Sequence, residues 1–344
     1  GKEKELAAAT NYGEVKNIWK KYESSKDEIN WVSAIRQKVE NLTLSQTEIQ
    51  DLDTWFPYNE YLNVVIAPDL SSRLGKTDQV KTDIELIAHI WQCFQKAVEK
   101  KTKKKSQRKD FLMVDVTDKS QANGQFGLMA NNLRFDLSTQ TGVRTYLNTQ
   151  FPIFKSNISK LYQLGYNHQS GSDIKLFIED FANTDKEKPS TLSERYRNVL
   201  VILTDGYLET PNRKPYDTDP ALNAGVVPVA VQNQISIKSG IKLSNWEVII
   251  LEVRERKEGK HFDILKDAWI KWLSAMGVKR IEFKKHLDAS NTTKDFIESF
   301  FKVSGVTTTS TTYIPPKPLS RTNNTQTTQL LTEAQTSIEQ SNDF

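Results

Sequence analysis

Two short apolar runs constrain this chain more than any other feature. Asn63-Val-Val-Ile-Ala-Pro68 stops at Asp69, and Asn198-Val-Leu-Val-Ile-Leu203 stops at Thr204-Asp205-Gly206. Apolar runs of this length without alternation are expected of strands covered on both faces, and such strands belong to parallel sheets. Residues 111–117, 246–253 and 278–283 read as further strands. Between the strands lie amphipathic helical segments. Residues 78–99 place Val80, Ile84, Ile87, Trp91, Phe94 and Val98 on one side, and the segment after Asp173 places Ile174, Phe177, Ile178 and Phe181 at helical spacing. Residues 262–277 and 293–303 repeat the pattern. Strands alternating with helices predict an α/β fold: a Rossmann-like, doubly wound, mainly parallel central sheet with helices on both faces. Residues 126–137 read as a strand joined to 111–117 by the turn-like Gln121-Ala-Asn-Gly-Gln125, which would make one antiparallel edge strand. Residues 141–163 read as helical in part, broken at Pro152.

The chain of 344 residues has room for this domain and for extensions. Residues 1–56 read as an N-terminal helical extension, with Val15, Ile18 and Trp19 in one stripe and Ile29, Val32, Ile35 and Val39 in another. Ser45 and Glu48 have the spacing of a capping box before a short helix. The apolar stripes are expected to pack on the domain that follows, residues 57–303. Within that domain the excursion 207–245 is long for a connection and is expected to fold over the carboxyl edge of the sheet. Residues 304–344 are rich in Thr, Asn and Pro and are expected to be mostly disordered.

Composition narrows the function classes. A net charge of +4 is small for this length and does not specify nucleic acid. The one dense basic segment, Lys100 to Lys109, contains no aromatic residue and reads as a solvated loop or as a contact with an anionic surface. The single cysteine, Cys93, sits in an apolar helical stretch, so no internal disulfide and no thiolate zinc site can form. The four histidines show no ligand spacing. No run of about 18 apolar residues exists, so no transmembrane segment is expected. The chain begins at Gly1 with a polar segment, as expected of a mature chain released from an anchor. A bacterial envelope or secreted location, with a lipid anchor removed, is the expectation, and the cytoplasm is the alternative.

Functional groups of an open parallel sheet gather where its strands end. Three features fall there: Asp69-Leu-Ser71-Ser72-Arg73, Gly171-Ser172-Asp173, and Thr204-Asp205-Gly206. Each offers oxygen on a short side chain, a set suited to a hard cation such as magnesium. The combination resembles the von Willebrand factor type A domain family. In that family a strand ends in D-x-S-x-S, a distant loop supplies threonine, and a later strand ends in aspartate followed by glycine. The resemblance spans about residues 60–303. It implies a metal-ion-dependent adhesion site with Asp69, Ser71, Ser172 and Asp205 holding Mg2+, or Mn2+ or Ca2+ in its place. It also implies an open coordination position for an acidic side chain of a protein partner, with Asp173, Gly206 and Tyr207 at the partner surface. One residue departs from the pattern: Arg73 stands where the family has its second serine, and arginine cannot coordinate a cation. Turned inward, Arg73 would pair with Asp69 or Asp205 and take the place of the metal; turned outward, it would leave a weakened site.

The leading expectation is a non-catalytic, adhesion-type binding module. The alternatives are a metal-independent scaffold and a metal-dependent phosphohydrolase using Asp69 and Asp205. For the hydrolase, Asp115 and Asp118 supply further acids, but no phosphate loop is present, and His168 is the only histidine near a motif loop.

Overall fold

The computed structural model describes residues 1–25, 28–52, 55, 60–101, 108–118, 125–166, 172–184, 186–188, 195–207, 242–255, 259, 261–286 and 291–306. The expectations for residues 208–241, for the tail after residue 306 and for His168 and Gly171 lie outside these residues.

The architecture is α/β. Six strands form one sheet: β1 (Glu60–Pro68), β2 (Phe111–Val114), β3 (Arg134–Asp136), β4 (Arg195–Leu203), β5 (Trp246–Val253) and β6 (Arg280–Lys285). Their order across the sheet is β3-β2-β1-β4-β5-β6, and only the edge strand β3 is antiparallel to its neighbour. This is a Rossmann-like arrangement, and its strand order reverses direction between β1 and β4. The helices are α1 (Lys2–Ala8), α2 (Tyr12–Lys21), α3 (Ile29–Glu40), α4 (Gln46–Leu52), α5 (Gln79–Lys101), the single turn α6 (Phe126–Met129), α7 (Val143–Tyr166), α8 (Ile174–Ala182), α9 (Phe262–Ala275) and α10 (Asn291–Phe301).

The strands are apolar on both faces because both faces are covered. Val65, Ala67, Leu200, Ile202, Val248 and Ile250 pack with Ile174 and Phe177 of α8 and Trp269 and Leu273 of α9. Beside β3, Trp91 of α5 stacks on Phe154 of α7 with ring centroids 4.5 Å apart and meets Phe135 edge-on at 4.6 Å. No helix among the described residues is long and apolar enough to cross a membrane.

Four local expectations are corrected. Residues 126–133 form helical turns, and only Arg134–Asp136 pair as a strand. Leu128, Met129 and Ala130 favour helix, and the Asn131-Asn132 pair disfavours a strand. Pro152 does not break α7, which is continuous through it. The lost bond to the Asn148 carbonyl lies on the exposed side of the helix, while Phe154, Ile158 and Leu161 stay buried. The N-terminal helices bury their stripes against each other. Leu6, Tyr12, Val15, Trp19, Trp31, Ile35, Val39 and Leu52 form a core of their own, and Trp55 is stacked between Tyr12 and Trp19. The capping box between Ser45 and Glu48 forms in both directions. Finally, the basic run is not uniformly solvated. Arg108 is buried, and its guanidinium holds Asp110 with bonds of 2.7 and 2.9 Å. Residues 102–107 lie outside the described set.

The close approach of α7 to the loop after β1 depends on Gly165. A Cβ there would lie 2.7 Å from Leu70 Cβ, a contact that forces a shift. Gly165→Ala is expected to destabilise the fold by about 1–3 kcal/mol despite its higher helix propensity, measured by urea unfolding.

Candidate functional site

The candidate site is built by strand ends that stay laddered past their last residues. Asp69 N–H donates to the Leu203 carbonyl at 2.9 Å, Asp115 N–H to Ile66 at 2.8 Å, and Thr117 N–H to Pro68 at 3.2 Å. Thr204 N–H donates to Leu251 at 3.1 Å, and Arg254 N–H to Asp205 at 3.3 Å. Asp69, Thr117, Thr204 and Asp205 are thereby fixed along one edge, centred where the strand order reverses.

Asp69 is 2% exposed, and both of its carboxylate oxygens are engaged. Oδ1 accepts from Ser71 N–H at 3.0 Å, and Oδ2 accepts from the Thr204 hydroxyl at 2.9 Å. The Thr204 oxygen in turn accepts from Gly206 N–H at 3.1 Å. Burial raises the Asp69 carboxyl, the Arg73 charge opposes that rise, and Asp205 adds to it; the result is a group pushed up to about 6. Asp205 accepts Tyr207 N–H on Oδ1 at 3.2 Å.

Ser172 reaches the edge through a residue that the motif does not contain. Its hydroxyl lies 2.7 Å from the Thr117 hydroxyl, which is itself 3.4 Å from the Pro68 carbonyl. Asp173 caps α8, accepting Leu176 N–H at 2.9 Å. Gly206 has φ +91, and its carbonyl accepts from Trp269 Nε1 at 2.8 Å, so it shapes the turn. Tyr207 is 3% exposed, and its hydroxyl lies 2.5 Å from His261 Nδ1. The side chain expected at the partner surface therefore faces the interior.

Arg73 turns inward. Its side chain is 1% exposed and all three nitrogens have partners. Nε donates to the Asp69 carbonyl at 2.8 Å, and Nη2 donates to the Leu203 carbonyl at 2.9 Å and pairs with Asp83. Nη1 lies 3.5 Å from Asp83, and Nε lies 3.8 Å from Asp69 Oδ2. The main ionic partner is thus Asp83 of α5, where the sequence pointed to Asp69 or Asp205. Burial opposes the guanidinium charge, but the Asp83 and Asp69 carboxylates outweigh it and hold the group above its ordinary range. Asp83 is raised by burial and by Glu252, with Arg73 opposing.

Asp83 also accepts from the Tyr162 hydroxyl at 2.9 Å and from Gln79 Nε2 at 2.8 Å. Gln79 Nε2 lies 3.2 Å from Glu252, which is bonded to His286 Nδ1. Glu252 has φ +67 and sits where the β5–β6 register shifts. One signal for this network is present in the sequence: Asp83 falls on the apolar stripe of α5, three residues after Val80 and four before Ile87. A carboxylate in such a position needs a buried partner.

Each Asp69 carboxylate oxygen already accepts one hydrogen bond, from the Ser71 amide and the Thr204 hydroxyl, and a guanidinium nitrogen lies 3.8 Å from Oδ2. Among the described residues no group of three or more His, Cys, Asp or Glu side chains is arranged to hold a metal. Compared with protein-family models, with curated proteins and with solved structures, the chain matches none.

The sign of the pH dependence follows from Asp69. Its ordinary value is 3.8 and its folded value about 6, so the native state binds the proton more tightly than the unfolded chain. This group therefore adds stability as pH falls from 7 through 6 towards 4, and costs stability above 6. The melting temperature of wild type relative to Asp69→Asn is expected to rise between pH 7 and pH 4.5. Scanning calorimetry at several pH values checks this; a constant difference would mean that Asp69 is not raised.

Proposed function

We propose that the chain is a non-catalytic docking module of the von Willebrand factor A type whose adhesion edge works without a metal. The observation that carries this reading is the buried Arg73. It stands at the position of the second serine, and its guanidinium pairs chiefly with Asp83 while lying 3.8 Å from Asp69 Oδ2, one of the acids an ion would otherwise serve. The sheet order, with the motif residues at the β1–β4 reversal, supports docking at the carboxyl edge. The magnesium expected from the resemblance would then have no role in the protein. A non-catalytic reading is supported by the engagement of the acids that a hydrolase would use. Asp69 is bonded on both oxygens, and Asp115 accepts Val116 N–H at 2.9 Å and pairs with Lys186.

Thermal unfolding in EDTA and in millimolar magnesium, manganese or calcium tests the reading. A bound ion at 100 times its dissociation constant would stabilise the fold by about 2.7 kcal/mol. Wild type is expected to show no shift with any ion. Arg73→Ser, which restores the family pattern, is expected to lose about 3–5 kcal/mol in EDTA because Asp83 is left buried and unpaired. It is also expected to recover part of that loss on adding magnesium. A rise in the wild-type melting temperature with magnesium, absent in Asp69→Ala, would overturn the metal-free reading.

A further inference from the structure

We infer that Arg254, at the end of β5, receives a carboxylate of the protein partner, an aspartate or glutamate side chain, with no ion between them. The inference deepens the metal-free docking reading above and rests on it. Arg254 directly follows β5, and its N–H donates to the Asp205 carbonyl at 3.3 Å. It therefore stands on the carboxyl edge, beside the end of β4, at a position that the metal-site motif does not include.

The guanidinium of Arg254 is oriented but touches no carboxylate. Its Nη2 donates to His286 Nε2, since a guanidinium has no acceptor to offer. Nδ1 of the same ring then carries the proton that Glu252 accepts. Glu252 thus sits on the far side of the imidazole, and among the described residues no carboxylate pairs with Arg254. Glu255, the next residue, is taken up by Lys285 and by the His261 and Phe262 N–H groups. The half-buried Arg254 differs in this from Arg73, Arg108 and Arg197, which each hold a carboxylate within the chain.

A second observation is the state of the donors. Nε is buried with no acceptor, while Nη1 makes no bond and reaches solvent. Of the N–H bonds of this guanidinium, only one, on Nη2, meets an acceptor among the described residues. A donor buried without an acceptor is a cost carried by the unbound chain, and an incoming oxygen pair relieves it. The group is planar and already oriented by His286, so two parallel bonds to a carboxylate take little further side-chain freedom. Charge decides between a carboxylate and a phosphate. Asp205, Glu252 and Glu255 flank the arginine through the contacts above, and they repel a singly charged carboxylate less than a doubly charged phosphate.

The test is a TROSY titration of the full, deuterated and 15N-labelled chain, following the amides of Asp205, Gly206, Arg254, Glu255 and His286. The probes are acetyl-Gly-Glu-Gly-amide, acetyl-Gly-Arg-Gly-amide and acetyl-Gly-phosphoserine-Gly-amide, each in EDTA and in millimolar magnesium. The Glu peptide is expected to shift these amides saturably, equally with and without magnesium, and more weakly as salt rises. Its affinity is expected to fall about tenfold in Arg254→Gln, equivalent to 1.4 kcal/mol. Arg254→Lys keeps the charge and loses the fork; it is expected to weaken binding by a smaller factor and serves if Arg254→Gln does not fold. Arg280→Gln, at the exposed start of β6, is expected to bind as wild type does. The Arg peptide is expected to be silent, and the phosphoserine peptide to bind more weakly than the Glu peptide. Absence of localised shifts with the Glu peptide, undiminished binding by the folded Arg254 variants, an equal loss in Arg280→Gln, or tighter binding of the phosphoserine or Arg peptide overturns the carboxylate site and leaves the metal-free reading standing. Binding of the Glu peptide that requires magnesium overturns both.

Discussion

Arg73 carries a full positive charge into a space that solvent does not reach, and the geometry of the edge follows from how that charge is met. Taking an ion out of water costs several kcal/mol even after relaxation, so the guanidinium needs partners on every side. It finds them on separate elements: Asp83 of α5, and the carbonyls of Asp69 and Leu203 at the ends of β1 and β4. Tyr162 of α7 and Gln79 of α5 complete the shell of Asp83. Two strands and two helices therefore converge on one side chain at the point where the strand order reverses. The pair is weak evidence for stability, because a well-packed apolar replacement of both partners is often as stable. What the pair does supply is position.

The same logic operates where β1 enters the sheet. Asn63 and Asn198 are neighbours across β1 and β4, and both are buried. Asn63 Nδ2 donates to Asn198 Oδ1 at 2.7 Å, and Asn198 Nδ2 donates to the Lys188 carbonyl at 3.0 Å. Beside them the Asp110 carboxylate accepts Leu62 N–H at 2.7 Å while held by Arg108. Strands as uniformly apolar as β1 and β4 carry little information about register, since sliding one past the other exchanges one aliphatic for another. Polar anchors near both ends remove that freedom. A slip of one residue would strand an amide at one end and a guanidinium at the other.

Much of this was legible in the sequence, for a physical reason that also marks the limit. The sheet and its long helices announce themselves through local periodicity, and the Ser45–Glu48 capping box is a contact between residues three apart. Asp69, Ser71 and Asp205 come to one edge because each follows a strand in a parallel sheet, which topology alone requires. The network beneath them was not legible as a whole, because Tyr162 reaches Asp83 from 79 residues away and Glu252 reaches Gln79 from 173 residues away. The direction of Arg73 was the deciding unknown; its inward turn is set by Asp83, which in one dimension reads as an interruption of an apolar stripe. The inward turn of the Tyr207 side chain escaped the sequence for a related reason. A residue beside a motif is as readily recruited to cap a helix or to fill the interior as to meet a partner, and local sequence does not separate these uses. Residues 126–133 follow helix propensity where the apolar run suggested a strand, and α7 continues through Pro152 where local pattern suggested a break.

The arginine also separates two roles that a bound ion would combine. A divalent cation at such an edge neutralises the carboxylates and offers an empty coordination position to a partner. A guanidinium does the first and cannot do the second, because it only donates. Here its donors face inward, to Asp83 and to the carbonyls that close the strand ends. On the proposed metal-free reading, the chain itself retains the folding role that an ion would otherwise share.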